Sequence, residues 1–394
     1  MLSFNDALEK ILAWPKTSLA IENVPLQSAL GRIVAQDIIA VLNLPTQDNS
    51  AMDGYAVKTT EALLDFPIPI QCVCYAGEIP PPLKPYHAMR LFTGALLPEG
   101  ADAIVVQEDS ESIDSQVIFK QVPKQQQHIR YRGEDVRAGQ AIIKSGIILK
   151  ASHLGLLAAQ GLTHVAVMRL LKVSVMTTGD EIKPPGTQLN AAQIYNANAP
   201  MLIALIMKLG CEVVAHHHVE DSIAATVAVL NTLVDISDVV ITVGGVSVGT
   251  KDHVKASIER LGQLDFWKVR MKPGKPVAMG NIRQTPIVAL PGNPVSAYVV
   301  FTLLIAPFIR SLQGQAAPLL PTTLYPLILD KSKKVNREEF IRVQRRKINN
   351  EWHLFPYPQQ GSAILSSLVF SDGMARLPAD IEITSGQLVE YYEF

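Results

Sequence analysis

Cysteine is scarce: Cys72, Cys74 and Cys211 are the only three in 394 residues. Cys72 and Cys74 lie two apart in a strand-like run and share a face, which makes a hairpin disulfide or a thiolate metal site awkward. They read as small apolar core residues. An excess of positive charge is also missing. The 35 Lys and Arg against 36 Asp and Glu give a formal charge of −1, which argues against nucleic acid held on a general basic surface. No apolar run reaches the roughly 20 residues needed to span a bilayer. The longest, Val295–Ile309, reads as a buried helix. Met1–Ile11 carries Asp6 and Glu9 and lacks the cationic start and apolar run of a signal peptide, so the reading is cytoplasmic, with no membrane partner. Neither a Walker loop nor G-x-G-x-x-G occurs, so ordinary ATP hydrolysis and NAD binding fit poorly. Internal repeats and low-complexity tracts are absent too.

What is there is a globular balance, 48% hydrophobic and 18% charged, in a chain long enough for two to four domains. Phe4, Ala7, Leu8, Ile11 and Leu12 predict an amphipathic first helix that ends at Trp14-Pro15. Val24–Ile39 predicts a second helix with a strand-like exit, stopping before Pro45. From Ala56 to about Val136 short alternating runs separated by Pro and Gly predict a small, inserted all-β domain. Leu149–Leu157 reads as a helix capped by Ser152. From Leu171 strands and helices alternate for about 140 residues, which predicts an open, mostly parallel, three-layer α/β sheet. In it, Phe266–Lys272 and Pro276–Met279 read as a hairpin, and Asn293-Pro294 starts the last helix. Beyond Pro318 strands return without a convincing helix. The fold is therefore a multidomain α/β chain in four parts. Residues 1–45 and 137–171 form an elongated N-terminal mixed region, 46–136 the inserted β domain, 172–318 the α/β domain and 319–394 a C-terminal β domain.

In such a sheet ligands sit beyond the carboxyl ends of the strands. Thr177–Glu181, Gly244–Asp252 and Pro291–Pro294 should meet there. The glycine turns offer backbone N–H groups, and the last two loops lead into helix N-termini, a setting suited to phosphate. Asp180, Glu181, Asp221 and Asp252 are carboxylates at the same edge. They suit a Mg²⁺ ion that bridges to phosphates, although Asp221 and Asp252 equally suit helix caps, with Ser222 the alternative cap beside Asp221. Met271-Lys272-Pro273-Gly274-Lys275-Pro276 holds two ammoniums around a stiff turn, which favours one shared anion. His216-His217-His218 puts two imidazoles on one strand face without an evident third metal ligand.

These segments resemble the MoeA-type molybdopterin molybdenumtransferases, the family shared with the E domain of gephyrin. The resemblance covers nearly the whole chain. It is carried by DNSAMDGYAV (Asp48–Val57), FTGALLPEGADAIVVQE (Phe92–Glu108), RGEDV (Arg132–Val136) and TTGDEI (Thr177–Ile182). GGVSVGTKDH (Gly244–His253), KPGKP (Lys272–Pro276), LPGNPVSA (Leu290–Ala297) and QGSAILSSL (Gln360–Leu368) continue it in order. It implies an α/β domain of the MogA-like, molybdopterin-binding type, a β-barrel-like C-terminal domain and a head-to-tail homodimer. In that dimer the active cleft draws on the partner's inserted β domain. It also implies that molybdenum from molybdate is placed on adenylylated molybdopterin with release of AMP, with Mg²⁺ as helper ion.

Carried over by matching position, Asp53, Thr93, Asp135, Glu181, Asp221 and Asp252 would serve catalysis, Glu181 and Asp252 also as Mg²⁺ ligands. Thr178, Gly179, Asp180, Gly244, Gly245, Ser247, Gly249, Lys268, Pro291, Gly292, Asn293 and Pro294 would bind the pterin substrate. Lys272, Lys275, Ser296, Arg337 and one of Ser366 and Ser367 would bind molybdate, a compact dianion suited to such donors. Asn336 stands where the family often has Gly before the Arg; Asn tolerates a left-handed backbone better than other residues.

Two other functions compete with this one. An adenylyltransferase of the MogA type would need only the stretch Leu171–Leu312 and would consume ATP. A non-catalytic scaffold, as in gephyrin, would need a partner groove, which nothing in the sequence identifies. A MogA-like adenylyltransferase and acceptor molybdoenzymes are the further partners that the resemblance implies.

Overall fold

The strand Val239–Val243 is apolar and β-branched, and all five residues are buried. A strand of that kind belongs in the middle of a sheet covered on both faces. In the computed structural model, which describes residues 1–15, 19–246 and 253–394, it lies inside a six-stranded sheet. The order is Glu212–Val219, Lys172–Thr178, Val239–Val243, Thr285–Leu290, Ala278–Ile282 and Gln263–Trp267. The first four strands are parallel and the last two antiparallel. Thr178 pairs with Val219, Thr177 with Val243, and Val243 with Leu290, so four carboxyl ends finish side by side. The loops that follow them are thereby brought to one edge.

Alternate side chains send Val173, Val175 and Ile241 to one core and Met176 and Val240 to the other. Helices Phe4–Leu12, Asn198–Lys208 and Pro294–Leu312 cover the first face; Ile223–Ile236 and His253–Leu261 cover the second. Pro294–Leu312 is 19 residues long, with a mean hydropathy of 1.8 and 83% burial. A helix apolar on all sides and buried in this way is a core element. Its turn Phe301–Ile305 widens to a π segment just before Pro307, whose missing N–H disturbs the helical ladder. Phe4–Leu12 begins with the Ser3 hydroxyl accepting from the Asp6 N–H.

The inserted β region is a six-stranded sheet of Ala103–Val106, Gly54–Val57, Ala88–Leu91, Ile68–Cys74, Gln116–Phe119 and Ser110–Ile113. Beside it, Ala29 and Val34 share a small core with Ile143, Leu149, Leu157, Val165 and Val167. The C-terminal strands close on themselves: Glu338–Ile348, Glu351–Pro356, Thr323–Leu327, Gln387–Glu393 and Gly373–Leu377, the last pairing back with the first. This five-stranded barrel borrows one more strand. Met271–Lys272 of the α/β domain runs parallel to Glu338–Ile348, with Lys272 opposite Glu339.

Four local expectations are corrected. Val24–Ile39 is not a helix: Ile21–Pro25 pairs with His164–Met168, and only the 3₁₀ turn Leu26–Ser28 follows. Pro25 and the left-handed Gly31 (φ +77°) interrupt the helical period, and cross-strand pairing absorbs its apolar residues. Ser152 lies inside the helix Ala151–Ala159, whose cap position is Lys150. The hairpin forms between Gln263–Trp267 and Ala278–Ile282, because Met271–Lys272 is taken up by the barrel. A short C-terminal helix exists at Ser366–Val369.

Candidate functional site

At the shared carboxyl edge lies a cavity of about 580 Å³. Thr178, Gly179 and Glu181 line it from the first loop, Gly244 and Gly245 from the second, and Pro291, Gly292, Asn293 and Pro294 from the third. Asp221 adds a fourth side, while Ser247, Gly249 and Asp252 lie outside the described residues. The glycines are required by close approach. A Cβ on Gly244 (φ +94°) would stand 2.9 Å from the Thr178 carbonyl oxygen, and one on Gly245 (φ +64°) 2.8 Å from Val254. Gly244 therefore packs against the Thr178 backbone and Gly245 against the Val254 side chain, with the Gly244 N–H donating to the Leu290 carbonyl at 3.2 Å.

Residues that the sequence reading did not single out hold these loops. The Asn196 amide donates to Thr177 Oγ1 (3.0 Å) while its carbonyl oxygen accepts from the Ala199 N–H (3.0 Å). Asn198 donates to the Gly292 carbonyl at 2.7 Å. Two asparagines at a helix start were the available signal. The Trp267 indole N–H donates to the Val246 carbonyl at 3.0 Å.

The carboxylates resolve into distinct roles. Ser222 caps Ile223–Ile236, accepting from the Ala225 N–H, so the cap is Ser222 and Asp221 is left to the cavity. The Asp221 N–H in turn donates to Asp180 at 3.2 Å. Glu181 and Asp221 are the only charged side chains in the described lining of this cavity. Lys268, expected at the substrate, lines neither this cavity nor its neighbour; its ammonium lies 3.7 Å from the centre of the Trp267 ring.

A second cavity of about 500 Å³ adjoins the first. Lys272, Lys275 and Arg337 line it with Ser296, Gln360, Gly361 and Ser362, and among the described residues no carboxylate lines it. Pro276 and Asn293 line both cavities and form the wall between them. Ser362 accepts from the Asn293 amide (3.2 Å), and its carbonyl oxygen accepts from the Val295 N–H (3.1 Å). Ser366 and Ser367 do not line this cavity. Ser367 is fully buried; its hydroxyl donates to the Ile364 carbonyl and accepts from Arg342 Nε. Ser362 is the serine of the Gln360–Leu368 motif that lines the cavity. The signal was available, since Gln360-Gly361-Ser362 heads the same motif. Arg342, 1% exposed, braces this segment by donating to the Gly361 carbonyl, and its backbone N–H donates to Gln360. Asn336 is not in the left-handed region, so Gly is not demanded before Arg337.

Asp53, Thr93 and Asp135 line neither cavity within the chain. Asp53 and Thr93 meet on the inserted domain, where Asp53 accepts from both the backbone N–H and the hydroxyl of Thr93, each at 2.8 Å. These bonds hold its carboxyl below the usual carboxylate range. Asp135 is exposed. On the histidine strand, burial lowers the His216 pKa and His218 contacts Thr177 Oγ1. Among the described residues no group of three potential metal ligands assembles.

A cavity rimmed by glycine turns at the edge of a doubly wound sheet thus adjoins a second cavity lined by two lysines and an arginine. Residues 2–161 match the MoeA N-terminal region (domain I and II), 174–311 the probable molybdopterin binding domain, and 328–394 the MoeA C-terminal region (domain IV). The chain is 40% identical to the molybdopterin molybdenumtransferase of Haemophilus influenzae over 80% of this chain and 78% of that one. It is 36% identical to molybdopterin molybdenumtransferase 2 of Mycobacterium tuberculosis over 94% of each. The solved structure of the molybdopterin biosynthesis protein MoeA from Pyrococcus horikoshii superposes with a TM-score of 0.82 at 30% identity, covering 100% of this chain and 99% of that one. The chain belongs to the MoeA family of molybdopterin molybdenumtransferases.

Proposed function

We propose that this chain inserts molybdenum from molybdate into adenylylated molybdopterin, releasing AMP and leaving the metal on the dithiolene. The observation that carries this reading is the wall that Pro276 and Asn293 give to both cavities. The first cavity offers amides to a phosphate linkage, and the second offers two ammoniums, a guanidinium and hydroxyls to a compact dianion. Held across that wall, the two substrates react by positioning and electrostatic preorganisation. Glu181 and Asp221 orient the linkage and the attacking oxygen.

Among the described residues two carboxylates and no cation line the cavity read as the phosphate site, which favours a bridging ion there. The carboxylate oxygens of Glu181 and Asp221 fit Mg²⁺ and would hold it. When bound, the ion would supply charge neutralisation at the phosphates. Asp53 and Thr93, remote from both cavities within one chain, support a homodimer in which the partner's inserted domain completes the cleft. The three thiols left unpaired suit a cytoplasmic setting.

The test is AMP release from adenylylated molybdopterin. It should require molybdate and need no ATP, and Glu181→Gln should reduce it about a hundredfold. AMP release indifferent to molybdate would overturn the reading; ATP consumption would point instead to adenylyl transfer.

A further inference from the structure

The barrel places one buried charge against a lysine of the second cavity. Glu339 sits directly opposite Lys272 where Met271–Lys272 joins Glu338–Ile348. Its side chain is only 4% exposed, and each oxygen meets a different ammonium. Oε1 lies 3.1 Å from Lys272 Nζ, and Oε2 lies 3.1 Å from Lys333 Nζ. Lys333 comes from the two-residue strand Lys333–Lys334, paired with Glu382–Ile383, and lines neither cavity. Lys272, half exposed, does line the second one.

A carboxylate buried so deeply is costly once its partner is removed. With Lys272 as sole ammonium partner, turning it toward a substrate oxyanion would leave Glu339 only its electrostatic interaction with the buried Arg342 guanidinium. Lys272 would then stay on the carboxylate, and the cavity would lose one of its donors. Lys333 removes the conflict, because it neutralises Glu339 from the other oxygen while Lys272 faces the cavity.

We propose that Glu339 and Lys333 are positioning residues for the oxyanion substrate: Glu339 aims Lys272 into the cavity, and Lys333 balances Glu339 while Lys272 engages the anion. This rests on the reading of the second cavity as the molybdate site. Neither residue touches the substrate. Their effect is confined to the molybdate arm of the reaction and leaves the pterin arm alone.

The experiment measures half-saturating molybdate and the saturating rate of AMP release for five variants. Lys333→Met is expected to raise half-saturating molybdate about tenfold or more, with the saturating rate within about threefold of the native protein. Lys333→Arg, which keeps the charge, should stay within about threefold on both. Adding Glu339→Gln to Lys333→Met should recover half-saturation to within about threefold of Glu339→Gln alone, because no carboxylate remains to hold Lys272. A merely structural pair would not show that rescue. The proposal is overturned by unchanged half-saturation in Lys333→Met, or by a double variant as impaired as Lys333→Met. If Lys333→Met does not fold, a tenfold loss in Lys333→Arg or no recovery in the double variant overturns it. Lys275→Ala separates the two levels of the argument. Should it raise half-saturation while Lys333→Met does not, only the positioning pair fails; should it have no effect, the molybdate site lies elsewhere.

Discussion

The two cavities share a wall and little else. The first is made by the α/β domain almost alone, from turns that follow parallel strands, and among its described residues the charged side chains are carboxylates. The second is made at a seam. Lys272, Lys275 and Ser296 come from the α/β domain, whereas Arg337 and Gln360–Ser362 come from the C-terminal part of the chain. A sheet edge supplies amides to any phosphate ligand, so the first cavity follows from the fold. The cations of the second follow from where the barrel docks.

This contrast can be broken by substitutions that should affect one cavity and spare the other. The largest effect is expected from Lys275→Ala, which should raise half-saturating molybdate about a hundredfold through loss of a charge-assisted contact, with pterin-nucleotide affinity changed less than threefold. Asp221→Asn should do the opposite, cutting the saturating rate about thirtyfold with little change in molybdate dependence. Parallel losses in both quantities for both variants would erase the distinction. Gly244→Ala should cost about 2 kcal/mol of stability, measured by denaturant unfolding, since its Cβ would press on the Thr178 carbonyl at a left-handed φ. It should also weaken pterin-nucleotide binding more than molybdate binding.

The smallest effect sharpens the role of the scaffold. Asp238 joins the sheet to Arg169 by two bonds of 2.7 Å and accepts from the Lys172 N–H. Burial works to raise its pKa, but these bonds outweigh it and the carboxyl stays below its ordinary value. A depressed folded pKa means that the contribution is complete above the ordinary carboxylate range and is lost as pH falls through the folded value. Asp238→Asn should therefore cost about 1–2 kcal/mol near neutral pH, and the difference from the native protein should shrink in acid. A difference that does not vary with pH would contradict that origin. Both cavities should keep their ligands in this variant near neutral pH.

Much of the first cavity was legible in the sequence because each loop is local: a β-branched run, glycines or a proline, then a helix start. Thr177–Glu181, Gly244-Gly245 and Pro291–Pro294 needed only the rule that parallel strands end together. The second cavity was legible in its lysines, which a stiff Pro-Gly turn marks out, and in Arg337. The motif pointed to Ser366 and Ser367 whereas Ser362 lines the cavity, because three serines within six residues differ only in which one the Val295 N–H and Asn293 reach. Glu339 was invisible for a related reason. Its meaning comes from a parallel pairing with Lys272 across 67 positions of chain, and no local pattern announces such a partner. Val24–Ile39 failed in the same way, since strand pairing with Val165 and Val167 overrode a helical period.

The account turns on where the oxyanion lies. Anomalous scattering at the molybdenum edge from a crystal soaked in molybdate, collected with and without the adenylylated pterin, locates it directly. The expected peak lies in the second cavity, within hydrogen-bond reach of Lys272, Lys275, Arg337 and Ser362 and across the Pro276–Asn293 wall from the nucleotide. A peak elsewhere on the chain, with that cavity empty at saturating molybdate, would contradict it.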